Sequence, residues 1–531
     1  MKKIILIFLL FNCCSITLVG QQQSNKIRFQ VVDGISKKPV VYATVMLKNK
    51  NRGTHADFNG FFEIPIAYIA DGIIKISSIG YLSKEIKLSL ATKNKITVIY
   101  LEVAENALDE IVIKSSKKKK RKLYAKEIIR KAINNILENY PNEPHSYIGY
   151  YRDYQQPVDD VYQKLIKSKK PIEYVNVHEA IIESFDNGFD SDKLKSNKNQ
   201  SLLYEYAINT NFIQDSTLTI PYDNTSKKFS ESVYISPLGG NELNILNLTN
   251  AIRNYDKMSF SFVNTLNKNF IDNHYFKIEE DVFIDTKILY KISFTSKKER
   301  TSFDYATNGT IYIAKDNFAI HKLNYNLYYI KNKSPQYSIT IEYKEKKDKM
   351  YLNYITFNNF FEARNGNYFK IDKSLFDPEK NTFIIYFNRL INFDSLEPIK
   401  RNFKISYKGQ KLDIINVNFL NSNRILAVGI NINSTKNIDF FKERESPNYA
   451  TNFSFDIKNI KDIDGFKIDE RASIKMNQYR EFFVQEIFES KELSIQNKFI
   501  NKNLPLSKSI VIPLKLEENY WLNSPLKKDK E

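Results

Sequence analysis

The sequence predicts a mostly β chain, and three observations carry that prediction. Aromatic residues make up 14% of the chain, with 34 Tyr and 37 Phe against one Trp, and such side chains suit strands because they fill a half-buried pleated surface. Long stretches alternate apolar and polar residues at a period of two, as in Ile288-Tyr290-Ile292-Phe294 and Tyr337-Ile339-Ile341-Tyr343, which places one face of each strand inward. Turn residues such as Asp33-Gly34, Asn59-Gly60 and Asp464-Gly465 recur at strand-sized intervals. The expected architecture is an N-terminal seven-stranded-type β-sandwich, one amphipathic helix, a large antiparallel β-sheet region and a second β-sandwich inserted near the C-terminus.

The 531 residues allow roughly three to five domains, each with its own core. Met1-Lys2-Lys3, the apolar run Ile4 to Phe11 and a weaker stretch to Gly20 form the charged start, apolar centre and small-residue end of a secretory signal. The expected cleavage lies between Gly20 and Gln21. The alternative is a lipoprotein signal acylated at Cys13 or Cys14, for which Asn12 is a poor preceding residue. Both cysteines fall inside this segment, so the mature chain needs neither disulfide nor thiolate and relies on burial for stability. An exported chain is expected, located in the periplasm or at the outer membrane.

Removing Lys2 and Lys3 lowers the formal charge from +18 to +16. For an exported protein this favours weak attraction to anionic headgroups or polysaccharide rather than nucleic acid. The expected partners are an envelope protein or polysaccharide, with peripheral contact to a membrane surface. No second apolar run approaches the ~18 residues of a spanning helix.

Residues 21–102 read as the first sandwich. Ala43 to Leu47, Phe61 to Ile64 and Ile73 to Ser77 are strands, Asp57-Phe58-Asn59-Gly60 is a tight turn, and Ile86 to Leu90 closes the unit. Gly60 suits a turn that needs positive φ, Phe61 opens the strand after it as a structural residue, and Gly80 allows a close backbone approach beside Tyr81, whose ring is expected to close the core. With Val31-Val32-Asp33, Pro39 to Val45, Gly53-Thr54, Asp57, Gly60-Phe61-Phe62 and Ser78-Ile79-Gly80-Tyr81, the segment resembles the carboxypeptidase regulatory-like domain, a prealbumin-like sandwich of exported Bacteroidetes proteins. The resemblance implies no peptidase chemistry. A zinc carboxypeptidase needs a His and a Glu three residues apart plus a second His, and none of His55, His145, His178, His274 and His321 is followed by Glu at that spacing.

Residues 103–122 read as a basic linker, ending in Lys117 to Lys122. It is expected to join the sandwich to the rest without a shared core. Asp109-Glu110-Ile111-Val112-Ile113 resembles the segment following this sandwich in TonB-dependent receptors, which supplies a second functional reading. In residues 123–370, Ala125, Ile128, Ile129, Ala132, Ile133, Ile136, Leu137 and Tyr140 recur at helical spacing before Pro141. Strands then follow, with hairpins turning at Lys315-Asp316-Asn317 and between Glu345 and Lys349. Residues Ile128 to Tyr151 with His178-Glu179-Ala180 resemble an uncharacterised region of similar Bacteroidetes proteins.

Residues 371–476 contain strand-like Phe383 to Arg389, Ser395-Leu396, Asn402 to Ile405, Leu426 to Val428 and Phe455 to Lys458, then the turn Lys461 to Gly465. Their order resembles a bacterial Ig-like domain. Residues 477–531 return to the larger sheet, and Trp521 is expected to anchor the C-terminus.

Candidate chemistry is sparse. Gly-x-Ser-x-Gly and phosphate-binding Gly-rich loops do not occur among the 15 glycines. Asp462, Asp464 and Asp469 could hold calcium or simply form a turn. Asp186, Asp190 and Asp192 could contribute to a glycosidase or form an acidic turn. His178 and Glu179 are adjacent on a strand and therefore point to opposite faces. The resulting expectation is no catalytic residue, no cofactor and no metal. The function expected is a non-enzymatic envelope binding or scaffold protein, with an accessory of TonB-dependent transport and an unrecognised hydrolase as alternatives.

Overall fold

The computed structural model describes residues 26–48, 50–69, 72–91, 95–104, 123–219, 228–229, 233–235, 242–257, 265–298, 303–365, 368–443, 452–494, 498–514 and 520–526. The first sandwich comprises β1 (Lys26–Asp33), β2 (Thr44–Leu47), β3 (Arg52–His55), β4 (Phe61–Pro65), β5 (Ile73–Ser77), β6 (Lys84–Lys87) and β7 (Thr97–Leu101). They form two sheets, ordered β4-β1-β7 and β3-β2-β5-β6. Alternate residues of β1, including Phe29 and Val31, meet Val45, Phe62, Ile64, Ile74 and Ile76 in one core. The sandwich is not purely antiparallel, because β7 pairs with β1 in parallel. Leu88 to Leu90 form a 3-10 turn instead of a closing strand, and β7 closes the unit.

The next strands are β8 (His145–Pro157), β9 (Val175–Asp186), β10 (Ser201–Ile208), β11 (Lys228–Phe229), β12 (Val233–Ile235), β13 (His274–Ile278), β14 (Val282–Ile284), β15 (Lys287–Ser296), β16 (Tyr305–Ala314), β17 (Ile320–Tyr329), β18 (Pro335–Lys346) and β19 (Lys349–Asn365). After them come β20 (Ile371–Asp377), β21 (Thr382–Phe387), β22 (Phe403–Tyr407), β23 (Gln410–Lys411), β24 (Ile414–Leu420), β25 (Ser422–Ile430), β26 (Phe453–Ile457) and β27 (Ser473–Phe488).

The main path of a 13-stranded sheet runs β10-β9-β8-β27-β19-β18-β17-β16-β15-β13. Because β27 pairs with both β19 and β8, the chain between β19 and β27 leaves this sheet and returns to it. The excursion forms two sheets, β20-β21-β25-β24 and β23-β22-β26, around a separate core of Phe383, Ile385, Phe403, Ile405, Leu426 and Val428. Two boundaries differ from the sequence expectation. Phe393–Ser395 is a 3-10 turn rather than a strand, and β27 starts at Ser473 rather than after residue 476.

One face of the large sheet packs against helices. The helix Ala125–Asn134 breaks at Asn135 and resumes as Ile136–Asn139. It buries Ile128, Ile129, Ala132, Ile133 and Ile136 together with Ile311, Ile313, Leu323, Ile339 and Ile341 of the sheet. Asn139 Nδ2 donates to the Asn317 carbonyl at 3.0 Å, and Tyr140 OH to the Ile320 carbonyl at 2.7 Å. The helix is thus fixed to the β16–β17 hairpin. The period-two reading of β15 holds for Ile292 and Phe294, but Leu289 rather than Ile288 is buried.

Candidate functional site

The opposite face of the sheet carries an unusual density of polar side chains, and the sandwich lies on it. Residues that share this face stand in alternating positions along β8, β27 and β19, as the pleat requires. Arg152 and Glu481 are directly opposed across β8 and β27. Arg152 donates through Nε and Nη2 to Glu481 Oε2 at 3.0 and 2.6 Å, with both side chains fully buried. Glu481 Oε1 accepts from Tyr154 at 3.1 Å and from Tyr42, which belongs to the sandwich, at 3.0 Å.

Asp57 adds a second buried carboxyl from the sandwich. Its Oδ1 accepts the Asn59 and Phe61 amides at 2.8 and 2.9 Å, which fixes the turn. Burial pushes the Asp57 carboxyl up to about 7 despite the nearby Arg152 charge. Aromatic rings fill the remaining joint: Tyr42 and His55 of the sandwich pack on Tyr354 and Phe483 with ring centroids 5.3–5.5 Å apart.

The C-terminal segment ties the two bodies together. Trp521 enters the sandwich core and donates its indole N–H to the Glu63 carbonyl at 2.8 Å, while its own carbonyl accepts from Gln485 on β27 at 2.9 Å. Asn523 bonds to the Glu63 amide and the His55 carbonyl, each at 2.7 Å. Tyr520 and Arg52 both bond Glu486 Oε2, at 2.7 and 2.8 Å. The expectation of two bodies joined only by a linker is therefore corrected: aromatic contacts, buried charges and the C-terminal segment give them a common interior.

Beside this joint lies a cleft of about 430 Å³, walled by Thr44, Met46, Lys75 and Ser77 of the sandwich and by Asp285, His321, Glu342, Lys344 and Asn353 of the sheet. Clefts of this size between domains are common binding sites. Two of its lining residues sit there because of β-bulges. Tyr312 pairs with Lys322 and Ile313 with Ile320, so His321 is the extra residue of β17. Glu342 pairs with Tyr354 and Tyr343 with Leu352, so Asn353 is the extra residue of β19. A bulge re-aims a side chain out of the regular alternation.

Asn353 is saturated: its Oδ1 accepts from His55 Nε2 at 3.1 Å, and its Nδ2 gives hydrogen bonds to Thr44 Oγ1 and Glu342 Oε1 at 2.8 and 2.9 Å. Glu342 Oε2 further holds Tyr354 and Lys322, at 3.0 and 3.1 Å. His321 differs. It is only 3% exposed, yet neither ring nitrogen has a hydrogen-bond partner among the described residues. Such a buried polar group costs roughly 1–3 kcal/mol when nothing satisfies it. Burial, reinforced by the Lys287 charge, pulls the imidazole down to about 4, so it is neutral at pH 7.

The residues singled out in the sequence fall in different places. Gly60 takes φ +78°, and a Cβ there would stand 2.4 Å from the Val31 carbonyl oxygen. Phe61 is half-buried, its amide held by Asp57. Gly80 takes φ +90°, but its Cβ position is open space, so conformation rather than close approach requires glycine. Its amide donates to the Phe283 carbonyl of the large sheet at 2.8 Å. Tyr81 is half-buried at the rim of the sandwich core rather than closing it. Gly20, Gln21, Cys13, Cys14, Asp109 to Ile113 and Lys117 to Lys122 lie outside the described residues.

Several residues of the candidate chemical clusters are occupied by local bonds. Asp462 Oδ1 accepts the Asp464 and Phe466 amides and its Oδ2 holds Arg389, an Asx turn completed by Gly465 at φ +88°. Asp469 stands at φ +58°. Asp186 is gripped by Arg253 and Lys193, whose charges outweigh burial and hold its carboxyl well below the usual range. Asp192 accepts the Leu194 and Lys195 amides. His178 faces Asp153 at 3.4 Å, while Glu179 points to the other face and accepts from Tyr150. Among the described residues no group of three His, Cys, Asp or Glu side chains is arranged to hold a metal ion. Nor is any helix among them long and apolar enough to cross a membrane.

Comparison with known proteins identifies the sandwich. The family model of the CarboxypepD_reg-like domain matches residues 27–113, a span that includes Asp109 to Ile113. No curated protein matches the chain. Among solved structures, a LolA superfamily protein of Nitrosomonas europaea is 11% identical over 45% of this chain and 86% of its own, with a TM-score of 0.18. A DUF1329 family protein of Desulfovibrio piger is 9% identical over 44% and 85%, with a TM-score of 0.20. A putative outer membrane lipoprotein-sorting protein domain of Vibrio parahaemolyticus is 10% identical over 44% and 84%, also at 0.20.

Proposed function

We propose that this chain is an exported, non-enzymatic binding component of the cell envelope, in which the regulatory-like sandwich forms one wall of the ligand cleft. The observation that carries this reading is the division of labour at the joint. Arg152, Glu481, His55, Asn353 and Glu342 each hold bonds at the joint, although Arg152 Nη1 and His55 Nδ1 are left over, whereas His321 borders the neighbouring cleft with neither ring nitrogen bonded among the described residues. A buried ring with both nitrogens unsatisfied beside a cleft is a group that a ligand can complete.

The envelope location is supported by the signal-like start Met1 to Gly20 and by the kind of domain that residues 27–113 form. The inserted two-sheet body, read as Ig-like, serves as a spacer or second contact surface. Expression of the full chain in a bacterium with two membranes, followed by fractionation and N-terminal sequencing, tests the reading. A chain starting near Gln21 outside the cytoplasm supports it. A cytosolic chain that retains Met1 contradicts it.

A further inference from the structure

We propose that the cleft between sandwich and sheet binds a small anionic group, a phosphate or a carboxylate, held by the Lys344 ammonium and the His321 imidazole. The inference rests on the reading of this cleft as the ligand site and adds the chemistry of what enters it.

Charge bookkeeping around the cleft singles out Lys344. Lys75 pairs with Asp285 at 2.9 Å, Lys287 with Glu345 at 2.5 Å, Lys322 with Glu342 at 3.1 Å and Lys347 with Glu489 at 3.1 Å. Asp348 also borders the cleft, at the exposed tip of the β18–β19 hairpin. Among the described residues Lys344 has no carboxylate within ion-pair distance. Its Nζ lies 3.5 Å from Met46 Sδ, and a thioether is a weak acceptor.

A partly buried ammonium whose nearest carboxylate influence, that of Glu342, falls short of a direct ion pair disfavours its own charge. Burial, with Lys346 nearby, outweighs the pull of the Glu342 carboxylate and draws Lys344 down to about 8, which leaves it protonated at pH 7. An entering anion supplies the missing counter-charge. The neutral His321 ring offers one N–H donor and one acceptor nitrogen, which suits an anionic oxygen beside a hydroxyl or a bound water. Lys344 comes from β18 and His321 from the bulge of the adjacent β17, so both are set on the rigid sheet rather than on a loop.

The mature full chain, labelled in its histidine rings, provides the test. Its five histidines give separate NMR signals, and His321→Gln assigns the relevant one. The probes are inorganic phosphate, acetate and neutral N-acetylglucosamine at constant ionic strength, followed by vesicles of phosphatidylglycerol or phosphatidylcholine. A saturable shift of the His321 signal with phosphate or acetate is expected. Lys344→Met should weaken it at least tenfold, and Lys344→Arg should leave it within about threefold of the original. Saturation by phosphatidylglycerol vesicles alone would identify a lipid headgroup as the source of the anion. An equal, non-saturating drift of all five signals, or unchanged affinity in Lys344→Met, overturns the proposal. A shift with N-acetylglucosamine alone also overturns it, but leaves the cleft as a binding site. If Lys344→Met disturbs the dispersed spectrum, the wild-type and Lys344→Arg titrations decide: absence of saturation in the wild type overturns the proposal.

Discussion

Arg152 and Glu481 stand 329 residues apart in sequence and directly opposite each other on adjacent strands, joined at 2.6 Å with no exposure of either side chain. A buried pair of this kind adds little over an apolar substitute, but removing one partner strands the other charge. Tyr42 reaches this pair from the sandwich, so the same charges that hold two sheet strands also seat the neighbouring body.

Arg152→Met should therefore destabilise the full chain by ~3–5 kcal/mol in denaturant unfolding. Adding Glu481→Leu should recover a substantial part of the loss. A single-variant effect below about 1 kcal/mol would show that the pair is not holding the joint.

Trp521→Ala removes an indole from the sandwich core together with its bond to the Glu63 carbonyl. Truncation of a buried aromatic costs ~3–5 kcal/mol. The loss should appear in the sandwich strands although the mutation lies in the last residues of the chain. Unchanged proteolysis of the sandwich would contradict it.

Two glycines with similar φ should respond differently. Gly60→Val combines left-handed backbone strain with a 2.4 Å clash against the Val31 carbonyl oxygen, and the strain alone costs about 1–3 kcal/mol. Gly80→Ala meets open space and carries strain only. Thermal unfolding should rank Gly60→Val as clearly the more damaging.

Acid should destabilise the protein between pH 6.5 and 4. Burial, the leading cause for each, draws His55 to about 3 and His274 and His321 to about 4, all below their unfolded value of 6.5. In that window the unfolded chain binds more protons than the folded one, so stability falls as pH falls. Asp57 has the opposite sign: raised to about 7 from 3.8, it contributes stability as pH drops through 7. Three depressed groups outweigh one raised group. His321→Gln should flatten the acid loss in a melting-temperature series, and Asp57→Asn should steepen it. A flat profile in the parent chain would contradict these assignments.

Much of the fold was legible because it is written in local patterns. The Asp57 to Gly60 turn, the helix beginning near Ala125 and the β16–β17 hairpin follow from turn chemistry and periodicity. The candidate site was not. Nothing in the sequence singles out Arg152 and Glu481, because it does not reveal that a second body covers the polar face of the sheet. His321 and Asn353 owe their positions to bulges, and a one-residue change in pairing leaves no signature in composition. Gly80 was assigned the right residue type for the wrong reason, since an open Cβ position can be seen only in three dimensions. Trp521 was readable as an anchor, but not its seat inside a domain more than 400 residues upstream.

The union of sandwich and sheet is tested most directly by hydrogen exchange of the full chain in increasing denaturant, comparing amides of β1 and β4 with those of β8 and β27. A single body predicts that both sets open with the same free energy and lose protection together in Trp521→Ala. If Trp521→Ala costs protection only in β1 and β4, and Arg152→Met only in β8 and β27, the two are independent domains and a shared cleft wall is excluded.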